Sequence, residues 1–303
     1  MNGIIVINKQ KDFTSFDVVA VARGILREKK IGHSGTLDPM ATGVLPVLIG
    51  KAAKAQSLLP DTDKEYQADF RLGMTSDTLD IWGTVLTQSE SRCSEADIEA
   101  VLPEFRGNIM QTPPMYSAIQ KDGVRLYDLA RQGIEVERQA RPVCINKLEL
   151  LSFDEETQSG RLLISCSKGT YIRVICDDIG KALGCGCIMT ALCRTKACGF
   201  TLADAVTLKE LEAIKNESRI EELLRPVDSI FMEYPAAHIS GKQAVRFANG
   251  GALDLDRVHS VKTRDDGTFF RVYGGDAFLG LGEISTEKNE LTVKKLFTEE
   301  LHY

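Results

Sequence analysis

Between Glu65 and Gly73 the chain alternates without a break. Tyr66, Ala68, Phe70 and Leu72 fall on one side, and Glu65, Gln67, Asp69 and Arg71 on the other. Successive strand side chains point to opposite faces, so this is the pattern of a half-buried strand, and it requires a sheet with one face against a core. A second strand is expected over Ile4–Ile7 and a third over Leu162–Cys166. Helical spacing appears beside them. Thr14 or Ser15 can cap a helix starting near Phe16, with Asp17 well placed in its first turn and Val18, Ala22, Ile25 and Leu26 on one face. A short helix is expected from Arg125 to Gln132, stopped by Gly133. Another follows Gly169, carries Ile175, Ile179, Ala182 and Leu183 on one face, and ends at Gly184.

The run Gly32–Pro39 is too rich in Gly and Pro for regular structure, and residues 106–120, with Pro113-Pro114, are expected to form an ordered loop. The acidic stretch 207–225 reads as a solvated surface helix. From about residue 236 the glycine pairs 250–251 and 274–275 and the run Phe278–Ile284 suggest short strands with tight turns. These elements describe an α+β body over 1–235 and a small β-rich domain over 236–303.

The 303 residues carry a net charge of −6, which by itself disfavours a polyanionic partner. The distribution permits one: residues 1–60 hold eight Lys/Arg against four acids, whereas residues 201–235 hold four against eight. No stretch approaches the roughly 18 apolar residues of a membrane span, and the run Gly3–Ile7 is too short for the core of a signal peptide, so a cytoplasmic protein is expected. The eight cysteines are expected as free thiols. Cys185, Cys187, Cys193 and Cys198 cluster but lack the paired C-x2-C spacing of common structural zinc sites, so no metal is expected and burial beside glycine turns explains them.

Three side chains stand out chemically. Asp38 lies among glycines, before a proline that biases it toward extended backbone. A carboxylate so placed can act as a nucleophile, although Asp-Pro is also ordinary turn chemistry. Arg173 can hold a carboxylate ionised and aimed, or simply face solvent on its helix. Tyr66 can pack in the core, or offer a ring on which an extruded base stacks. His33, one of four histidines, is incidental or an RNA contact.

Together these blocks resemble one family. Asn8-Lys9, Thr14–Val19 and the run Gly32-His33-Ser34-Gly35-Thr36-Leu37-Asp38-Pro39-Met40-Ala41-Thr42-Gly43-Val44-Leu45-Pro46 are similar to the opening of the bacterial TruB-type pseudouridine synthases. Lys64-Glu65-Tyr66 resembles that family's second motif, and Gln111–Gly123 with Arg125, Tyr127, Ala130 and Arg131 resembles its RNA-gripping insertion, here about 106–133. Lys168–Arg173 and Leu192-Cys193-Arg194 complete the set in the family's order, over roughly residues 3–230, and the tail is more loosely similar to a PUA-type RNA-binding domain. The departures lie at 187–198, where Ile188 stands for a frequent His and Cys193 for a second Arg.

The resemblance implies the pseudouridine synthase fold, with a central mixed, mainly antiparallel sheet flanked by helices and loops, and a C-terminal PUA-like domain. It implies isomerisation of the T-loop uridine at tRNA position 55 without cofactor or guide RNA. Asp38 would be the nucleophile, Tyr66 would stack on the target base and Arg173 would pair with Asp38, while His33, Tyr171 and Leu192 would line the substrate site. Attack on the ribose, attack on the base and loss of a ribose proton to give a glycal all remain open to such an Asp. A buried Asp tends to take up a proton, and Arg173 would oppose that. The implied partner is the T-arm of tRNA, with no membrane, no obligatory protein partner and a monomeric chain. The tail is expected to add affinity and to be removable without touching Asp38 chemistry. Three other readings share these features: an RNA-folding chaperone (a role that could coexist with catalysis), a guide-RNA-dependent synthase, and a structural cysteine–zinc protein.

Overall fold

The computed structural model describes residues 1–60 and 63–298. The chain opens with β1 (Gly3–Lys9), α1 (Ser15–Leu26), β2 (Ile31–His33), β3 (Thr42–Ile49) and β4 (Lys64–Leu72). A hairpin follows, β5 (Met74–Ser76) and β6 (Val85–Gln88), then α2 (Glu95–Val101), β7 (Gly107–Gln111), β8 (Gln120–Lys121), β9 (Val124–Arg125) and α3 (Leu126–Arg131). The body continues through β10 (Arg141–Asp154), β11 (Ser159–Cys166), α4 (Ile172–Ala182), β12 (Cys187–Ala197), β13 (Phe200–Thr201) and α5 (Leu208–Asn216). Last come β14 (Ala236–Ile239), α6 (Gly241–Ala248), β15 (Leu253–Asp254), β16 (Phe269–Gly274), β17 (Ala277–Ser285) and β18 (Glu290–Leu296).

The body is built on one sheet in the order β1-β3-β12-β4-β11-β10-β7, with β2 on β3 and β13 on β12. Every pairing is antiparallel except β3–β12, which runs parallel over only two residue pairs, Thr42–Cys193 and Gly43–Arg194. This is the expected α+β fold with its mixed, mainly antiparallel sheet. The alternation in β4 is realised as read, with Tyr66, Ala68, Phe70 and Leu72 all buried. They meet Ile172, Ile175, Cys176 and Ile179 of α4 in one apolar cluster.

Both faces of β1 and β3 are covered, which is why Ile4, Ile5, Val6 and Ile7 form an unbroken apolar run. Ile5, Ile7, Leu45, Val47 and Ile49 pack on α1, capped by a reciprocal Thr14–Asp17 box. Ile4, Val6, Val44 and Leu48 pack on the other side against Phe231, Leu281 and Phe297.

Several local expectations need correction. Residues 107–111 are not loop but an edge strand on β10. Its ladder bonds hold it, since Ile109 is only half-buried and Met110 is exposed, so no apolar period marks it. Within the Gly/Pro-rich run, Gly32 and His33 extend a short strand on β3. In the 207–225 stretch the α-helix covers only Leu208–Asn216, ending before Ser218 at φ +60°; a 3-10 turn follows at Ile220–Glu222, and Leu211 and Ile220 are buried. Ala182 lies exposed beyond the buried stripe of α4.

The last 60-odd residues form a five-stranded sheet, β14-β16-β17-β18-β15, around their own apolar cluster. That sheet is not merely tethered. Phe231 is fully buried with Phe297 at 5.6 Å, Tyr234 at 6.1 Å and Phe278 at 6.3 Å between ring centroids. Asn2 and Lys51 of the body donate to the carbonyls of Phe297 and Thr298. Packing therefore runs across residue 235, and a cut there would strip cover from β1 and β3. The expectation of a removable tail does not fit this shared core.

Phe297→Ala, a change in the tail, is therefore expected to lower stability by about 3–5 kcal/mol. Urea unfolding followed by the emission of Trp82, in the body, should show the loss as a lower midpoint. An unmoved Trp82 transition would mean the two parts unfold independently.

Candidate active site

The sheet changes character where β3 and β12 run parallel. The two strands approach closely because position 43 has no side chain: Gly43 sits at φ +105°, and a Cβ there would lie 2.2 Å from the Arg194 carbonyl oxygen. Above this junction, loop 34–41 closes one wall of a cavity of about 1480 Å³. His33, Asp38, Tyr66, Tyr171, Arg173 and Leu192 all line it, although they come from four separate stretches of chain.

The Asp38 loop is pinned at successive residues. Ser15 Oγ accepts from Leu37 N at 2.8 Å and donates to the Leu37 carbonyl. Ala41 N donates to the Asp38 carbonyl at 3.0 Å. Lys9 Nζ, wholly buried at the end of β1, donates to the carbonyls of Gln10, Phe13 and Pro39.

The Asp38 carboxylate then meets Arg173, whose Nε lies 3.1 Å from Oδ2. Its side chain is 42% exposed into the cavity, so the expectation of a buried aspartate is corrected: water reaches it until something fills the space. Arg173 is buried at the start of α4. It also donates Nη1 to the Thr78 carbonyl and Nη2 to the Tyr116 carbonyl, each at 3.0 Å, and Nη1 lies 3.5 Å from Asp80 Oδ2. Burial pushes the Asp80 carboxyl up from its ordinary value. Thr78 Oγ1, the charge of Arg173 and the Trp82 backbone N–H all oppose that shift.

Tyr66 is held on the buried face of β4. Burial pushes its phenol up, opposed by the neighbouring Arg194 guanidinium, so the ring stays neutral. His33 is pushed down by burial and then by Arg194, which makes it a neutral imidazole at pH 7. Tyr171 precedes α4 and exchanges hydrogen bonds with the Gln111 side chain, and the guanidinium of Arg141 stands 5.4 Å from its ring centroid.

The cavity wall is cationic although the chain is acidic. Lys64, Arg125, Arg131, Arg141, Lys168 and Arg173 line it, against Asp38 and Asp80, and both of these carboxylates face Arg173. Tyr127, flanked by Arg125 and Arg131, adds an aromatic face on α3. Cationic walls interleaved with aromatic rings suit a single-stranded nucleic acid. Among the described residues no group of three His, Cys, Asp or Glu could hold a metal ion. Cys187 is deeply buried, and Cys185 lies 3.7 Å from Cys93, sulfur to sulfur.

Sequence reasoning missed three residues here. Asp80 has no local mark, because its partner lies 93 positions away. Lys9 and Arg194 were noticed as parts of motifs but given no task. Arg194 is 1% exposed and donates to the carbonyls of Val44 and Gly35, so it ties β12 to the loop carrying Asp38.

Comparison with known proteins places the chain. The profile of the TruB family pseudouridylate synthase N-terminal domain matches residues 23–172, and that of the tRNA pseudouridylate synthase B C-terminal domain matches residues 173–232. The tRNA pseudouridine synthase B of Pseudomonas fluorescens is 43% identical over 306 residues, covering 99% of this chain and 97% of the relative. The protein of that name from Chromobacterium violaceum is 42% identical over 285 residues, covering 93% and 90%. Among solved structures, a Cbf5-Nop10-Gar1 complex matches with TM-score 0.78 at 25% identity, over 98% of this chain and 85% of that one. An archaeal box H/ACA Nop10-Cbf5 complex matches with TM-score 0.76 at 26% identity, over 99% and 87%.

Lys9 yields a pH prediction. Burial pulls its ammonium from 10.5 down to about 8, although the charge of Asp38 opposes the shift. Between these values the unfolded chain binds the proton that the folded chain has lost, so stability rises with pH over that window. The penalty on the charged form is fully present below about pH 8 and relieved by pH 10.5, on the order of 3 kcal/mol. Urea unfolding of wild type and Lys9→Met at pH 7.5 and pH 10 should show the difference shifting in the wild type's favour. A pH-independent difference would refute the assignment.

Proposed function

The chain belongs to the TruB family of pseudouridylate synthases, and on that premise we propose that it isomerises the T-loop uridine at position 55 of tRNA to pseudouridine, with Asp38 as nucleophile. The observation that carries the reading is the convergence of Asp38, Arg173 and Tyr66 on one cationic cavity, with Asp38 paired to Arg173 and still open to it.

The reaction breaks the bond from uracil N1 to the ribose, turns the base and rejoins it through C5. N1 gains a proton and C5 loses one, so atoms and electrons balance within the nucleotide. Asp38 supplies the electron pair, to the sugar carbon, to the base or to a ribose proton. Arg173 holds the carboxylate anionic and aimed, and its other donors are already committed to Thr78, Tyr116 and Asp80, so it cannot swing away. Tyr66 gives the detached uracil a neutral ring to stack on while it turns. Binding closes the cavity over Asp38 and excludes the water that reaches it in the free protein.

A uridine stacked inside a T-loop is out of reach, so the base must be extruded at a cost of a few kcal/mol. His33, uncharged and on the cavity wall, and the 106–133 insertion are the groups placed to hold the opened loop. The cations Arg125 and Arg131 come from this chain's own insertion, which supports a stand-alone, guide-independent enzyme acting on cytoplasmic tRNA. In this reading the C-terminal sheet is PUA-like and reaches the rest of the tRNA.

Incubation of the purified chain with an unmodified tRNA transcript and nothing else should yield pseudouridine at the T-loop uridine, mapped by carbodiimide probing. Asp38→Asn should abolish the product while tRNA binding persists. Binding without product from the wild-type chain would point to a chaperone or a guide-dependent enzyme. Arg173→Lys should fold but lose on the order of 10²–10³-fold in kcat, because an ammonium cannot hold two carboxylates and two carbonyls at once. A near-normal kcat would remove Arg173 from the mechanism.

A further inference from the structure

Beside the catalytic cavity lies a second one of about 180 Å³, on the other face of β4 and β12. Gln67, Asp69 and Cys193 line it, and Met40, Trp82 and Leu192 are walls of both cavities. Asp69 is closed off in a two-pronged pair with Arg161. The side chains of Gln67 and Thr190 make no hydrogen bond among the described residues, so polar edges in this space are available.

Trp82 is the chain's single tryptophan. It belongs to none of the four apolar clusters, and 38% of it is exposed. A ring left partly exposed outside every apolar cluster keeps an aromatic surface free to meet a ligand. Yet its position is fixed by backbone. Trp82 N donates to Asp80 Oδ1 at 3.1 Å, and Ile81 N donates to the Met189 carbonyl at 2.9 Å. The next residue is a close fit for glycine: a Cβ at Gly83 would lie 2.2 Å from Thr78 Oγ1 and 2.3 Å from Asp77 Oδ1, so a larger residue would push those side chains aside. The Lys11 ammonium stands 5.5 Å from the indole centroid, with no carboxylate at ion-pair distance among the described residues.

We propose that Trp82 and Lys11 form a second nucleotide site, which takes the base next to the target uridine once the loop is opened. The indole is the stacking face, Gln67 meets the base edge, and Lys11 meets the flanking phosphate. The volume, below the ~300 Å³ of a drug-sized site, suits one ring system. Because Asp80 holds both Trp82 and Arg173, the neighbouring base and the Asp38 pair share one anchor. The site rests on the RNA-modifying reading given above.

The lone tryptophan makes the test direct. Asp38→Asn protein is titrated with a T-arm hairpin, following emission and filter retention together. Emission should be quenched in step with the bound fraction, and the quench should vanish for one of two hairpins abasic immediately 5′ or 3′ of the target. Stacking of this kind is worth about fivefold to a hundredfold in affinity. Trp82→Ala in the active enzyme should raise KM by that range with kcat within about twofold, and Trp82→Phe should restore most of it. Lys11→Met should flatten the dependence of binding on salt by about one phosphate contact. Retained RNA with unchanged emission, equal quenching by both abasic hairpins, or an unaltered KM in Trp82→Ala would each overturn the proposal. A wild-type chain that neither binds nor modifies tRNA would remove the parent reading and this site with it, a result separable from the others by filter retention.

Discussion

The buried guanidinium of Arg173 is the interaction from which the rest of the site is arranged. A charge with 7% of its side chain exposed cannot sit there unpaired, and this one draws partners from three segments besides its own helix: Asp38, Thr78 with Asp80, and Tyr116. Two carboxylates and two carbonyls use the planar fork in a way a lysine could not. The arrangement also leaves the two carboxylates differently exposed. Asp80 is enclosed and tied to Thr78 and the Trp82 backbone; Asp38 is held at one oxygen and faces open space. One cation thus creates two carboxylates of different character, one structural and one available.

Two further buried cations prepare the loop that carries Asp38. Lys9 and Arg194 are both within 1% of full burial, and each is satisfied mainly by backbone carbonyls rather than acids. This keeps their charge uncompensated close to Asp38 and Tyr66. The charge of Arg194 adds to burial in depressing His33 and opposes burial in restraining the rise of Tyr66, and both cations add to the positive potential of a wall whose rim is already cationic. An acidic protein can in this way present a local surface fit for a polyanion, because only the field at the cleft matters to the ligand.

What the sequence made legible was whatever local periodicity and capping chemistry control. The strict alternation of β4 and the Thr14–Asp17 cap of α1 could be read directly, since each is set within a few residues. The edge strand β7 could not, because its two apolar side chains have no common buried face. Neither could the contact of β3 with β12: it is two residue pairs, Thr42–Cys193 and Gly43–Arg194, each joining positions 151 apart, permitted by Gly43. Asp38, Tyr66, Arg173 and the pairing of Asp38 with Arg173 were picked out by residue type and motif, yet Thr78, Asp80 and Tyr116, which fix the guanidinium, were not. Asp80 and Trp82 sit in a hairpin whose sequence reads as an ordinary turn, and only the return of β12 beside it turns that hairpin into a wall.

The C-terminal sheet has a place in the same account. Its aromatic cluster covers the face of β1 and β3 opposite α1, and those two strands carry, at their ends, Lys9 and the start of the segment beyond Ala41. Packing on both faces holds these two strands, and with them their register, in place. The Asp38 loop is spliced between β2 and β3 and pinned by Lys9 from β1, so its precision is only as good as that register. The tail therefore contributes to the position of the carboxylate through packing, at a distance from any RNA it touches. Its aromatic residues reach the chemistry by holding two strands still.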